Sequence, residues 1–145
     1  MDWSEYFIQM AWLVAKKSKD PSTKVGCLVV GPDKEVRATG FNGFPRMVDD
    51  TGPRLESKDG KLYLMVHAEA NAVAAAARVG VSLKGCTAVV TKYPCSQCAA
   101  LLIQAGITKV LAPEYDPQDR WAYSSTISQS MFYETGVVVE TYRAE

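Results

Sequence analysis

The chain of 145 residues has one histidine, four cysteines and no surplus charge of either sign. Sixteen Lys and Arg balance sixteen Asp and Glu, so the net charge is zero. Proteins that hold DNA or RNA draw much of their affinity from phosphate contacts and usually carry a basic face. The neutral sum therefore points away from a polynucleotide partner. No apolar run approaches the roughly 18 residues of a membrane span. Asp2, Glu5 and Gln9 interrupt the stretch where a secretory apolar region would lie. Neither a membrane partner nor export is expected, and the expected compartment is the cytoplasm. In that reducing setting Cys27, Cys86, Cys95 and Cys98 are not expected to form disulfides. A closely spaced pair there is more often a metal or redox site. There is no internal repeat, linker or low-complexity tract. The length suits one domain over residues 1–145, large enough to bury a core without a structural metal.

Asp2 and Glu5 form a capping-box pattern, followed by Trp3, Tyr6, Phe7, Met10, Leu13 and Val14 at helical spacing. This predicts a first helix to about Ser18, stopped by Asp20-Pro21-Ser22. Val25 to Val30 and Val36 to Phe41 read as a hairpin around Gly31-Pro32-Asp33-Lys34. Residues 42 to 62 have no periodicity and read as a long loop. Further helices are predicted over Ala68 to Val79, Cys95 to Ala105 and Gln118 to Thr135, ended by Gly80, Gly106 and Gly136. Strands are predicted over Thr87 to Tyr93, Lys109 to Ala112 and Val137 to Tyr142. Strand-helix alternation in the C-terminal half argues for right-handed crossovers and parallel strands. The expected fold is a three-layer α/β/α domain with a five-stranded mixed sheet and helices on both faces.

The one histidine, His67, opens a helix in Val66-His67-Ala68-Glu69. Pro94-Cys95-Ser96-Gln97-Cys98 opens the next helix. One nitrogen and two thiolates supply three zinc ligands and leave a fourth position for water, the arrangement of a catalytic zinc. Cys95 and Cys98 are three apart, so one helical turn puts both sulfurs on one face. The helix N-terminus favours thiolates there. Two thiolates neutralise one Zn2+, and the bound water can still ionise near neutral pH. Glu69, two residues past His67, suits a proton shuttle better than a ligand. Cys27 and Cys86 fall in or beside strands and read as core residues. A CxxC pair or an HxE triplet alone is weak. Together, in this order and each at a helix start, they match the HxE and PCxxC signature of zinc nucleobase deaminases.

The chain resembles the deoxycytidylate deaminase family, within the cytidine deaminase fold, over about residues 6 to 140. Besides the zinc motifs, the resemblance rests on Ser18-Lys19-Asp20-Pro21-Ser22-Thr23-Lys24-Val25-Gly26, on Gly40-Phe41-Asn42-Gly43-Phe44-Pro45 and on Ala105-Gly106-Ile107. It implies hydrolysis of dCMP to dUMP and ammonia, supplying dUMP for thymidylate synthesis, with one catalytic Zn2+ per chain. It implies that Asn42 contacts the nucleoside, with Ala68 beside it. Lys19, Ser22 and Thr23 are implied near the 5′-phosphate, with Tyr115 and Arg120 as further nucleotide contacts. It implies a homo-oligomer, a hexamer, to which the aromatics Trp121, Tyr123, Phe132 and Tyr133 would suit a subunit contact.

The family loop that binds regulatory triphosphates corresponds to Gly43, Arg46, Asp49 and Asp50, where Mg2+ would accompany a nucleotide. Met47 stands where many members have glycine, and a methionine is strained in glycine-only geometry. Weak or absent activation by dCTP is the expectation. No second zinc site is expected, since residues 28 to 85 hold no cysteine and one histidine. Three rival readings are a deaminase of dCTP or of both nucleotides, a polynucleotide base editor and a non-catalytic zinc-binding interaction module. The editor would need a basic, aromatic-lined groove, and the module would have no use for Glu69.

Overall fold

A computed structural model describes residues 1–144. Helix α1 (Trp3–Ala15) begins at the expected capping box: Asp2 accepts the Glu5 N–H while Glu5 reaches back to the Asp2 N–H. It ends three residues earlier than the spacing predicts, because Lys16 and Lys17 continue only as a turn. Strands β1 (Gly26–Val30) and β2 (Val36–Phe41) pair antiparallel, as the hairpin predicts. β1 also pairs antiparallel with β3 (Thr87–Val90). β3, β4 (Lys109–Pro113) and β5 (Val138–Tyr142) then run parallel. The sheet order is β2-β1-β3-β4-β5.

Alternation along the strands builds two cores. Cys27, Val29, Ala88, Val90, Val110 and Ala112 face one side; Leu28, Val30, Val89 and Leu111 face the other. The first side is covered by α3 (Ala68–Val79), α4 (Ser96–Gln104) and α5 (Ala122–Thr135), the second by α1. Consecutive right-handed crossovers that advance the same way across a sheet leave their helices on one face, which puts α4 beside α5. The three-layer fold is present, with three long helices on one side and one on the other. Cys27 and Cys86 are core residues, both fully buried.

Two differences from the sequence reading matter for the site. Residues 42 to 62 are not all loop: they contain the short helix α2 (Gly52–Glu56), with Pro53 in its first turn, and the start of a π-helical turn (Gly60–Leu64). One turn each is too short for a periodic signal. Helix α5 starts at Ala122, not Gln118, because Asp116 and Asp119 bind the N–H groups of Gln118 and Trp121 in successive turns. Phe132 lies in the core at 1% exposure, so it offers nothing to a subunit contact. Tyr123 and Tyr133 are exposed.

Candidate metal centre and substrate cleft

The histidine is placed by the chain on both sides of it. Gly43 and Val66 form an isolated antiparallel bridge, with N–H to O distances of 3.1 and 2.8 Å. The chain leaves that bridge at His67, whose extended backbone caps α3. α3 can press this close to β2 only because position 40 is glycine: a Cβ there would collide with the Ala68 carbonyl oxygen and the Ala72 nitrogen. Asn71 ties the same turn to the strand end, donating to the carbonyls of Phe41 and Val66. Pro94-Cys95 leaves β3 and opens α4, with Cys95 at the N-cap and Cys98 one turn in. Ser128 of α5 anchors this corner by donating to the Pro94 carbonyl at 2.8 Å.

His67, Cys95 and Cys98 meet as predicted. Their ligand atoms lie within 4.8 Å of one another. His67 Nδ1 is 3.5 Å from Cys95 Sγ and 3.4 Å from Cys98 Sγ. Bonds of about 2.3 Å to sulfur and 2.05 Å to nitrogen at a tetrahedral angle would separate N and S by about 3.6 Å. The donor set and its spacing thus fit zinc. The two thiols are coupled: the Cys98 hydrogen bond, helped by His67, pulls Cys95 down to about 4. The same bond to Cys95, with burial, pushes Cys98 far up. A divalent cation bound here would hold both sulfurs as thiolates. His67 is raised, first by its bond to Cys95.

Glu69 follows on the first turn of α3 and is 4% exposed. Burial lifts its pKa from 4.5 to about 7; the nearby Cys95 adds to the rise, while His67 and Lys92 oppose it. A carboxylate held near neutrality beside a metal site can both take and give a proton.

A cavity of about 620 Å³ opens over these groups. Ser22, Thr23, Asn42, Ala68 and Arg120 of the expected substrate residues line it. Asn42 is 6% exposed and bridges the 23–25 segment: its Oδ1 accepts the Val25 N–H at 2.9 Å and its Nδ2 donates to the Thr23 carbonyl at 2.9 Å. The N–H groups of Ser22 and Thr23 are already taken by Asp20, at 2.8 and 3.3 Å. These turn N–H groups are therefore not free for a phosphate, although both residues line the cavity. Burial opposes ionisation of Asp20, but the Ser22 N–H, Lys61 and the Thr23 N–H outweigh it and hold its pKa low. Lys19 points elsewhere, pairing with Asp50 at 3.1 Å, and Tyr115 donates to Gln129 at 3.2 Å and lines a neighbouring cleft. Gly43 serves the bridge beside His67; Arg46 and Asp49 are exposed.

Among the cleft residues that the sequence reading does not assign to the site are Lys61, Lys92, Asp119 and Trp121. Lys61 comes from the π-helical turn and pairs with Asp20 at 3.1 Å. Lys92 sits three residues before Cys95, so adjacency to the motif was an available signal. Trp121 was read only as a surface aromatic.

The chain matches the family model for the cytidine and deoxycytidylate deaminase zinc-binding region over residues 1–113, and it belongs to that family. It is 42% identical over 139 residues to an uncharacterized deaminase in the luxG 3′ region of Aliivibrio fischeri, covering 94% of this chain and 91% of that protein. It is 34% identical over 149 residues to human deoxycytidylate deaminase, covering 98% of this chain and 80% of that protein. The dCMP deaminase of cyanophage S-TIM5, solved in complex with dCMP and dUMP, superposes with a TM-score of 0.79 at 30% identity, covering 95% of each chain.

Proposed function

We propose that this protein hydrolyses dCMP to dUMP and ammonia. The observation that carries the reading is Glu69: buried, with its pKa raised to about 7, and two residues past His67 of a three-ligand cluster, lining a cavity of about 620 Å³. His67, Cys95 and Cys98 would hold one zinc ion, which supplies Lewis acidity and brings a water's pKa toward neutrality. Glu69 accepts the proton of the attacking water and delivers it to N3 of the pyrimidine. Once the water oxygen is bonded to C4, Glu69 takes the proton of that new hydroxyl and gives it to the amine; the C4–N bond breaks, ammonia leaves and the C4 carbonyl forms, so one carboxyl serves the whole sequence. The Ala68 N–H is the first of the helix and has no partner within it, which suits a pyrimidine carbonyl. Asn42 keeps a second amide hydrogen for the nucleoside. Ser22, Thr23 and Arg120 are the phosphate side of the cleft.

The deoxycytidylate deaminases among its relatives support the substrate. The reading extends to a cytoplasmic homo-oligomer, a hexamer, with dUMP passing to thymidylate synthesis. A regulatory nucleotide with Mg2+ would have to sit at Gly43, Arg46, Asp49 and Asp50. Exposed Tyr123 and Tyr133 are available to a second copy. Ammonia release from dCMP, dCTP, cytidine and a single-stranded oligonucleotide tests the substrate. Fast release from dCMP alone is expected. Turnover of dCTP at a similar rate would replace the reading with a dual-nucleotide enzyme, and release from none would end it.

A further inference from the structure

Trp121 belongs to neither apolar core among the described residues. It is half-buried at the N-terminal end of α5, lines the metal cavity, and forms part of the partition between that cavity and the neighbouring cleft of about 390 Å³. Its ring meets the His67 ring edge-on, with centroids 5.8 Å apart and planes at 87°. Lys92 Nζ lies 5.8 Å and Arg120 Cζ 5.5 Å from the indole. Asp119 holds the arrangement twice. Its Oδ1 accepts the Trp121 backbone N–H at 2.7 Å and its Oδ2 faces Lys92 Nζ at 3.7 Å. The ring is thus fixed from its own backbone and from the cation beside it, although no core packing requires it.

We propose that Trp121 is a specificity-determining residue whose indole is the wall against which the base end of the nucleotide packs. The inference rests on the deaminase reading above. The placement decides which end of the substrate is involved. The metal cluster marks where C4 must lie, and Trp121 is in contact with one of the metal ligands, so its ring reaches the pyrimidine and not the phosphate. Stacking of a base on an aromatic side chain is worth roughly ten- to hundredfold in binding. A ring already flanked by Lys92 and Arg120 loses little freedom when it takes up that role.

The chain has three tryptophans, so the W3F/W12F variant leaves Trp121 as the sole emitter. The zinc-loaded variant is first assayed for ammonia release from dCMP, which tests the deaminase reading by itself. If another cytosine compound is turned over instead, its deaminated product replaces dUMP below. If none is turned over, the specificity role falls with the deaminase reading. Titration with dUMP should change Trp121 emission saturably. Deoxyuridine should give the same change at higher concentration, and inorganic phosphate none. In the otherwise native chain, W121A should raise KM for dCMP about tenfold or more while keeping one zinc per chain, and W121F should recover most of the loss. Emission indifferent to dUMP, or W121A with unchanged KM, overturns the wall. W121A that sheds zinc at unchanged KM would leave the ring as mere support for His67, which also overturns it. A response to phosphate equal to that of deoxyuridine would move Trp121 to the wrong end of the substrate and overturn the assignment.

Discussion

Replacing Glu69 with Gln should make the metal-free protein more stable and the zinc-loaded protein nearly inactive. The carboxyl is 4% exposed and its pKa is raised from 4.5 to about 7. Each unit of pKa difference corresponds to about 1.36 kcal/mol. The native state therefore holds the Glu69 proton more tightly than the unfolded chain does. Between pH 4.5 and 7 the native state binds more protons, so stability falls as pH rises through that window and levels off above it. Well above pH 7 the ionised buried carboxylate costs the fold about 3 kcal/mol. Gln is neutral throughout and avoids that cost. Metal-free, reduced E69Q should thus exceed the parent by about 3 kcal/mol at pH 8.5, a Tm gain on the order of 10 °C for a domain of this size. The gain should vanish near pH 4.5. Urea or thermal unfolding of both proteins from pH 5 to 8.5 measures it. The zinc-loaded variant should lose about 10² to 10⁴ in kcat. Equal stability at pH 8.5, or a gain that ignores pH, would refute the claim that Glu69 is held at the site against its own solvation.

Metal analysis should find one zinc per chain, and C98A should lose most of it; two ions per chain would contradict the cluster. N42A removes the partners of the Val25 N–H and the Thr23 carbonyl, so unfolding should cost about 1–3 kcal/mol less and KM for dCMP should rise at least tenfold. G40A forces α3 off β2; a loss of about 3 kcal/mol with reduced zinc occupancy is expected, and full occupancy at native stability would show that α3 tolerates the shift. Met47 is fully exposed with φ at 71°, so M47G should gain about 0.5–1 kcal/mol in unfolding experiments.

Met47 also shows where a local reading stops. Its left-handed backbone is the one that glycine would supply, and the methionine adopts it at an exposed tip where its side chain meets no obstacle. The strain foreseen from sequence is present but small. The metal cluster was legible because each of its parts is local: one histidine at a helix start, and two cysteines one turn apart at another. The long helices and all five strands were legible for the same reason, α3 and β2 with their bounds as expected and the others with ends within four residues. Asp116 and Asp119 turned part of the expected α5 into its approach. What was illegible is long-range. Asp20 satisfies the Ser22 and Thr23 N–H groups through a turn that looked free for phosphate, and it needs Lys61 from 41 positions away. Nothing near Lys61 in sequence announces that meeting.

The sheet explains why chemistry and recognition separate in this way. β3 and β4 are parallel, so the segments after them emerge at the same edge. One brings Lys92, Cys95 and Cys98; the other ends in Asp119, Arg120 and Trp121. The bridge from Gly43 to Val66 delivers His67 and Glu69 to that edge from the antiparallel side. The reacting groups all sit on helix starts held by buried backbone, where a change of position by one residue would break both metal and fold. Ser22, Thr23 and Asn42 face the cavity from the segments flanking the hairpin, and further groups come from the 57–65 and 114–121 segments, which join elements without forming the core. Substitutions there can alter which cytosine compound is accepted while the proton transfers at Glu69 stay the same. By this argument, the residues that set nucleotide choice in this chain are to be sought at Ser22, Thr23, Asn42, Lys61, Arg120 and Trp121, and not in the HxE and PCxxC motifs.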